Sequence, residues 1–215
     1  AADYFVITTE HLPEWTAGTA YLQQLQAAGG AGGYEWVDKY GDLAGTGLAL
    51  LADGTLSGTP AGAGTISFTA TCTDAAEATV ERVLSVTVNA PIAITTSGLP
   101  AGAVTQAYYQ ILTAEGGTGV RVWSCPDNGL LGSGLTLSSS GVISGTPYAT
   151  GTFTFDAAVN DAVGSTDVQE LSIVVEPQPI CGDVDNSHGS PTVSDLTYLV
   201  SYLFRQGPVP PRPET

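Results

Sequence analysis

The chain superimposes on itself when shifted by 87 residues, and no gap is needed. ITTEHLP (7–13) falls on ITTSGLP (94–100), and GLALLADGTLSGTP (47–60) on GLTLSSSGVISGTP (134–147). Tyr21 falls on Tyr108, Trp36 on Trp123 and Asp74 on Asp161. Of the 85 positions aligned over residues 5–89, 34 are identical. Self-similarity at a fixed period constrains a fold strongly, because what one copy forms the other must form too. The unit is one domain, duplicated.

Each copy reads as short strands. TISFTATCT (65–73) and TFTFDAAVN (152–160) alternate apolar with polar residues, as half-buried strands do, and RVLSVTV (82–88) and ELSIVVE (170–176) repeat the pattern. Between them stand DG, SGTP and GG, where glycine supplies positive φ and proline pre-sets the turn. About seven strands per copy, with turns every 8 to 12 residues, predict an immunoglobulin-like sandwich. Trp36, Trp123, Leu48, Leu50, Leu135 and Leu137 recur at matching positions and read as core. The predicted fold is all-β: two tandem immunoglobulin-like β-sandwiches, 1–90 and 91–177, plus a small C-terminal calcium loop–helix module, 178–207, and a Pro-rich tail, 208–215. The junction VTVNAPIAITT (86–96) leaves only a few residues between strands and carries Pro91, so it cannot act as a flexible coil. A stiff rod is expected.

The run from Leu99 to Asp161 resembles the Ig-like repeats common in large bacterial secreted and surface proteins, through its paired GLxL…GxxSGTP and FxxxxxD elements. That resemblance implies a stalk, spacer or adhesive unit. Composition is consistent with such a setting. A formal charge of −16, from 21 acidic and 5 basic residues, disfavours nucleic acid and anionic membrane surfaces and favours multivalent cations. No apolar run approaches the roughly 18 residues of a membrane span. The opening AADYFV has neither Met nor a leader, as expected of a mature chain, secreted to the extracellular space or cell surface.

The segment CGDVDNSHGSPTVSDLTYLVSYLF (181–204) is chemically different. Asp183, Asp185 and Ser187 alternate as do positions 1, 3 and 5 of a calcium loop; a carbonyl near Gly189 or Ser190 would supply position 7, and Asp195 arrives one residue late. The candidate calcium ligands are therefore Asp183, Asp185, Ser187, Ser190 and Asp195. The segment resembles one dockerin repeat, GDV…DLxxLxxYL, over residues 182 to about 207, and the resemblance implies a bound Ca2+. Cohesin-binding dockerins carry two such repeats; one is present here. A unit of some 30 residues is small enough to need a metal or a partner to fold. In the predicted helix Leu196, Leu199, Val200 and Leu203 form an i, i+3, i+4, i+7 stripe, widened by Tyr198, Tyr202 and Phe204. The excess apolar surface asks for a second partner.

Three cysteines cannot all pair within one chain. Cys72, in mid-strand, reads as a small hydrophobe, and Cys125 and Cys181 are the better pair for a bridge. Two histidines, and no serine or threonine beside a recognisable base, argue against an enzyme. Asp74 and Asp161 read as turn caps. Trp15 aligns with Gly102 and is surplus to the fold: it is an interface anchor, a sugar-stacking platform or a residue folded back on its own domain. Together these features lead to a non-enzymatic extracellular protein that self-assembles head to tail into a calcium-stabilised fibre or layer, with Trp15, Tyr198, Tyr202 and Phe204 at its interfaces. A polysaccharide-binding accessory module is the alternative, and a cohesin partner a third.

Overall fold

The computed structural model describes residues 4–178, together with Leu196, Val200 and Leu203. Asp183, Asp185, Ser187, Ser190, Asp195, Cys181, Tyr198, Tyr202 and Phe204 lie outside the described residues. The first copy contains β1 (Val6–Ile7), β2 (Trp15–Thr16), β3 (Tyr21–Gln24), β4 (Ala27–Ala28), β5 (Glu35–Asp38), β6 (Leu48–Leu50), β7 (Thr55–Gly58), β8 (Gly64–Thr73) and β9 (Thr79–Asn89). The second contains β10 (Ala93–Ile94), β11 (Gly102–Ala103), β12 (Tyr108–Ile111), β13 (Ala114–Glu115), β14 (Val122–Ser124), β15 (Leu135–Leu137), β16 (Val142–Gly145), β17 (Gly151–Asn160) and β18 (Thr166–Glu176).

In the first domain one sheet has the order β2-β9-β8-β5 and the other β3-β7-β6, while β1 pairs with β4. The second repeats this as β11-β18-β17-β14, β12-β16-β15 and β10-β13. All pairs are antiparallel except β2 with β9 and β11 with β18. The two layers are those of an immunoglobulin-like sandwich. Nine segments per copy, rather than the seven expected, arise where two strands break. The first strand is broken around Leu12 and Pro13 into β1, which pairs with β4, and β2, which pairs with β9. The next is interrupted at Leu25–Gln26, where the Leu25 N–H donates to the Gly54 carbonyl (2.9 Å) and the Gln26 carbonyl accepts from Thr8 (2.8 Å).

The core lies between the layers. Phe68, Leu84 and Val86 meet Tyr21, Leu48 and Leu56 in the first domain; Phe155, Leu171 and Ile173 meet Tyr108, Leu135 and Ile143 in the second. Trp36 and Trp123 are buried as predicted, as are Leu48 and Leu135, with Leu50 and Leu137 packed at the margin. Each indole lies over a turn glycine: a Cβ on Gly54 would stand 2.7 Å from Trp36 Nε1, and one on Gly141 2.8 Å from Trp123 Nε1. This close approach is why the turn before β7 and β16 carries glycine at its last position. Cys72 sits opposite Trp36 in register and is fully buried, and burial pushes its thiol up to about 11. It stays protonated and fills space, as a small hydrophobe does.

Strict alternation fails near the ends of β8 and β17, where 70–72 and 157–159 are buried at three successive positions. Both strands are central, so the small side chains of Thr71 and Ala158 have a cross-strand neighbour on each side in register, Val37 and Glu81 for the one and Ser124 and Val168 for the other. A small residue with a neighbour on each side is covered even on the outer face.

Candidate functional site: a hydrogen-bonded joint between the domains

The β8–β9 turn begins at Asp74, and its repeat begins at Asp161. Each carboxylate organises its turn in the same way. Asp74 Oδ1 accepts from the N–H groups of Ala76 and Ala78 (both 2.9 Å), and Oδ2 from Ala31 (2.7 Å). Asp161 Oδ1 accepts from Val163 (3.0 Å) and Ser165 (2.8 Å), and Oδ2 from Thr118 (2.9 Å). The turn-cap role predicted for both residues is the geometry observed.

Asp161 does something more. The Thr16 hydroxyl, contributed by the first domain, donates to Asp161 Oδ2 at 2.5 Å and lies 2.7 Å from the Thr118 hydroxyl. Asn89 Nδ2, also from the first domain, donates to Thr118 Oγ1 at 3.0 Å. Thr16 is fully buried and Asp161 is 7% exposed, so water cannot replace these bonds freely. Thr16 and Asn89 are held side by side because β2 pairs with the last residues of β9 in register, Thr16 opposite Asn89. On the other side, Gly117 and its neighbour Gly116 take positive φ (72° and 70°) and bring Thr118 against Asp161. A side chain at Gly116 would strike the Pro91 carbonyl, so the linker itself is packed into the joint.

The placement of these groups fixes the arrangement of the tandem. β9 runs 11 residues from beside the Asp74 turn to Asn89, a span of roughly 33 Å at a strand's rise per residue. Acceptor turn and donor strand thus lie at opposite ends of each sandwich. Docking the donor end of one on the acceptor end of the next stacks the domains end to end.

The electrostatics make the joint dependent on ionisation. Burial alone raises the Asp161 carboxyl, but the Thr16 hydroxyl and the N–H groups of Thr118, Ser165 and Val163 together outweigh it and hold the group below its ordinary 3.8. A carboxyl depressed in the folded state stabilises that state above its unfolded value and ceases to do so as pH falls through the folded value. The joint is therefore expected to hold while Asp161 is ionised and to loosen as pH falls below the ordinary carboxyl range and through the depressed folded value. Carboxyl-carbon NMR titration checks this: Thr16→Val is expected to raise the Asp161 midpoint and leave that of Asp74 unchanged. An unmoved Asp161 midpoint would mean that the hydroxyl does not reach the carboxylate in solution.

Trp15, read from sequence with three roles open, is half-buried against its own domain. Its ring meets Tyr21 edge to face at 5.2 Å, and Nε1 donates to the Thr19 carbonyl at 3.1 Å. The Tyr21 hydroxyl has no partner among the described residues, and burial pushes its pKa up to about 12. In the second domain glycine at position 102 leaves Tyr108 free to donate to the Pro100 carbonyl at 2.9 Å. Cys125 is half-buried with Sγ 3.2 Å from Asp127 Oδ1, and its proposed partner Cys181 lies outside the described residues. Among the described residues no three His, Cys, Asp or Glu side chains stand together as metal ligands. Leu196, Val200 and Leu203 are helical and exposed, at 61%, 41% and 60%.

Sequence reasoning missed the joint. The signal was present in the departures from the repeat: Thr16 aligns with Ala103, Thr118 with Ala31 and Asn89 with Glu176. All three partners of the joint fall where the copies differ.

Fold and joint define a tandem immunoglobulin-like protein whose two sandwiches dock in series. The chain belongs to the family described as "Putative Ig domain", whose model matches residues 5–89 and again 90–176. A search of functionally curated proteins finds no match. Among solved structures, a three-Ig fragment of titin carrying an E-to-A mutation is 13% identical with a TM-score of 0.48, covering 80% of this chain and 66% of that one. Extracellular domains 3–5 of Drosophila OTK are 10% identical with a TM-score of 0.38, covering 81% and 62%. The chain thus spans just under two thirds of the length of these fragments.

Proposed function

We propose that the chain is a non-enzymatic, extracellular structural module: a rigid two-domain spacer that carries a calcium-ordered loop and helix on its C-terminal side. The buried bonding of Thr16 to Asp161 and Thr118 carries this reading. The short linker limits the reach of the two sandwiches, and a buried, charge-assisted hydrogen bond across the junction opposes tilting about it by a further ~1.5–3 kcal/mol. The metal would be held by Asp183, Asp185, Ser187, Ser190 and Asp195, the hard oxygen donors that calcium takes.

A second reading, assembly of copies into a calcium-stabilised fibre, is favoured by the exposed stripe of Leu196, Val200 and Leu203. Such an assembly would have to use that helix, since the chemistry of the joint does not recur at the far end of the second domain. Ala103 stands there for Thr16 and Glu176 for Asn89. The polysaccharide alternative would use Trp15, whose ring packs edge to face on Tyr21.

Calcium titration of the full chain, followed by sedimentation with millimolar calcium and again with EGTA, separates these readings. The spacer reading expects one calcium site, abolished by Asp183→Ala, single particles in both conditions, and melting of the two sandwiches unchanged by EGTA because no part of the joint is a metal ligand. Filaments that vanish with EGTA would favour the fibre. Absence of any calcium binding would remove the metal from both.

A further inference from the structure

We propose that the Asp74 end of the first domain is a docking site for another Ig-like domain of this family, one that presents a threonine hydroxyl as Thr16 does. This rests on the reading of the joint given above. Asp74 and Asp161 hold their turns with the same three backbone donors, at 2.7–2.9 Å and 2.8–3.0 Å. Asp161 has a fourth donor, Thr16 of the preceding domain; Asp74 Oδ2 has one donor where Asp161 Oδ2 has two, among the described residues.

The surroundings of Asp74 are built for the same approach. Gly30 has φ +66°, and a Cβ there would stand 2.5 Å from Asp74 Oδ2, so glycine is required beside a carboxylate that is itself 6% exposed. The Tyr34 hydroxyl caps the Gly29 carbonyl at 2.7 Å as Arg121 caps the Gly116 carbonyl at 2.9 Å in the joint. Phe5 stacks on Tyr34 with centroids 5.6 Å apart, and Tyr4 beside them is 85% exposed, a large aromatic surface at the rim of the turn.

The occupant is specified by chemistry. A second copy of this chain does not fit, because its own Thr16 is already bonded to Asp161 and its second domain would offer Ala103, without a hydroxyl, and Glu176, a like charge towards Asp74. The partner must pair a hydroxyl with an uncharged neighbour, as Thr16 and Asn89 do. With Ala31 in the place of Thr118, its hydroxyl meets the carboxylate alone.

The first domain's own donor end supplies the probe. Placing residues 4–89 ahead of residues 3–215 keeps the period of 87 and sets a second Thr16 at its native spacing from Asp74. Residual dipolar couplings then report one alignment tensor for the added domain and the first domain, and two when Thr16→Val is made in the added copy. Two tensors in the unsubstituted protein, while the native pair shares one, would overturn the proposal and leave the spacer intact. A tensor still shared after Thr16→Val would also overturn it, since the hydroxyl would then be idle. Two tensors across the native pair would bring down the spacer reading itself.

Discussion

Asp161→Ala is expected to destabilise the second domain by about 2–5 kcal/mol and to release it from the first. The substitution leaves the buried Thr118 N–H without its acceptor, at about 1–3 kcal/mol, and takes the charged acceptor from the buried Thr16 hydroxyl, which keeps only the Thr118 hydroxyl at 2.7 Å. The N–H groups of Val163 and Ser165 are only partly buried and can turn to water, so they add less. Calorimetry of the full chain reads both consequences: a second-domain transition lowered by roughly 10–20 °C, and loss of any coupling between the two transitions. Asp74→Ala removes the equivalent turn cap and is expected to lower the first-domain transition while the joint persists. If both variants behaved alike, with the domains still melting together or both uncoupled, Asp161 would have no role beyond its own turn.

Gly58→Ala should cost the first domain about 3 kcal/mol or more, seen as a fall in its melting temperature of about 15 °C. Gly58 has φ +141°, and a Cβ there would collide with the Gly47 carbonyl across the β6–β7 pair. Gly47 in turn has φ +86°, and its Cβ would strike the Thr59 carbonyl. Two backbones pressed together in this way cannot give by a side-chain rotation, so φ strain and overpacking add. Gly62→Ala, with ordinary φ and open space around it, is the control and should stay within about 0.5 kcal/mol of the parent. A Gly58→Ala protein as stable as the control would contradict this account of why SGTP stands in both copies.

Much of this was legible in the residues. Trp36, Trp123 and the SGTP turns are dictated by local geometry that each copy must satisfy separately, so they repeat, and repetition exposes them. The alternation of 65–73 and 152–160 marked β8 and β17 for the same reason, failing only where short side chains are shielded by neighbours across the sheet. The breaks that turn seven strands into nine depend on which backbone groups find partners on which neighbouring segment, as Leu25 does at Gly54 and Gln26 at Thr8, and no local pattern encodes that. Trp15 reads as surplus because Gly102 replaces it in the second copy: its ring packs on Tyr21, and the matching Tyr108 donates its hydroxyl to the Pro100 carbonyl instead. The joint was hidden for the opposite reason from the core. Its residues serve one boundary rather than each domain, so Thr16, Asn89 and Thr118 occur once and register in a repeat comparison only as mismatches. Thr16 and Asp161 are 145 residues apart in the chain, and only the stacking of one sandwich on the other brings them together.

The central claim is that these few polar groups make two domains move as one body. Backbone nitrogen relaxation at neutral pH tests it most directly, in the parent chain and in Thr16→Val, which keeps the shape of the buried side chain and removes only its hydroxyl. The account predicts a single rotational diffusion tensor for residues 5–89 and 90–176 in the parent, and two, with faster tumbling of each domain, in the variant. Independent tumbling of the domains in the parent would contradict it.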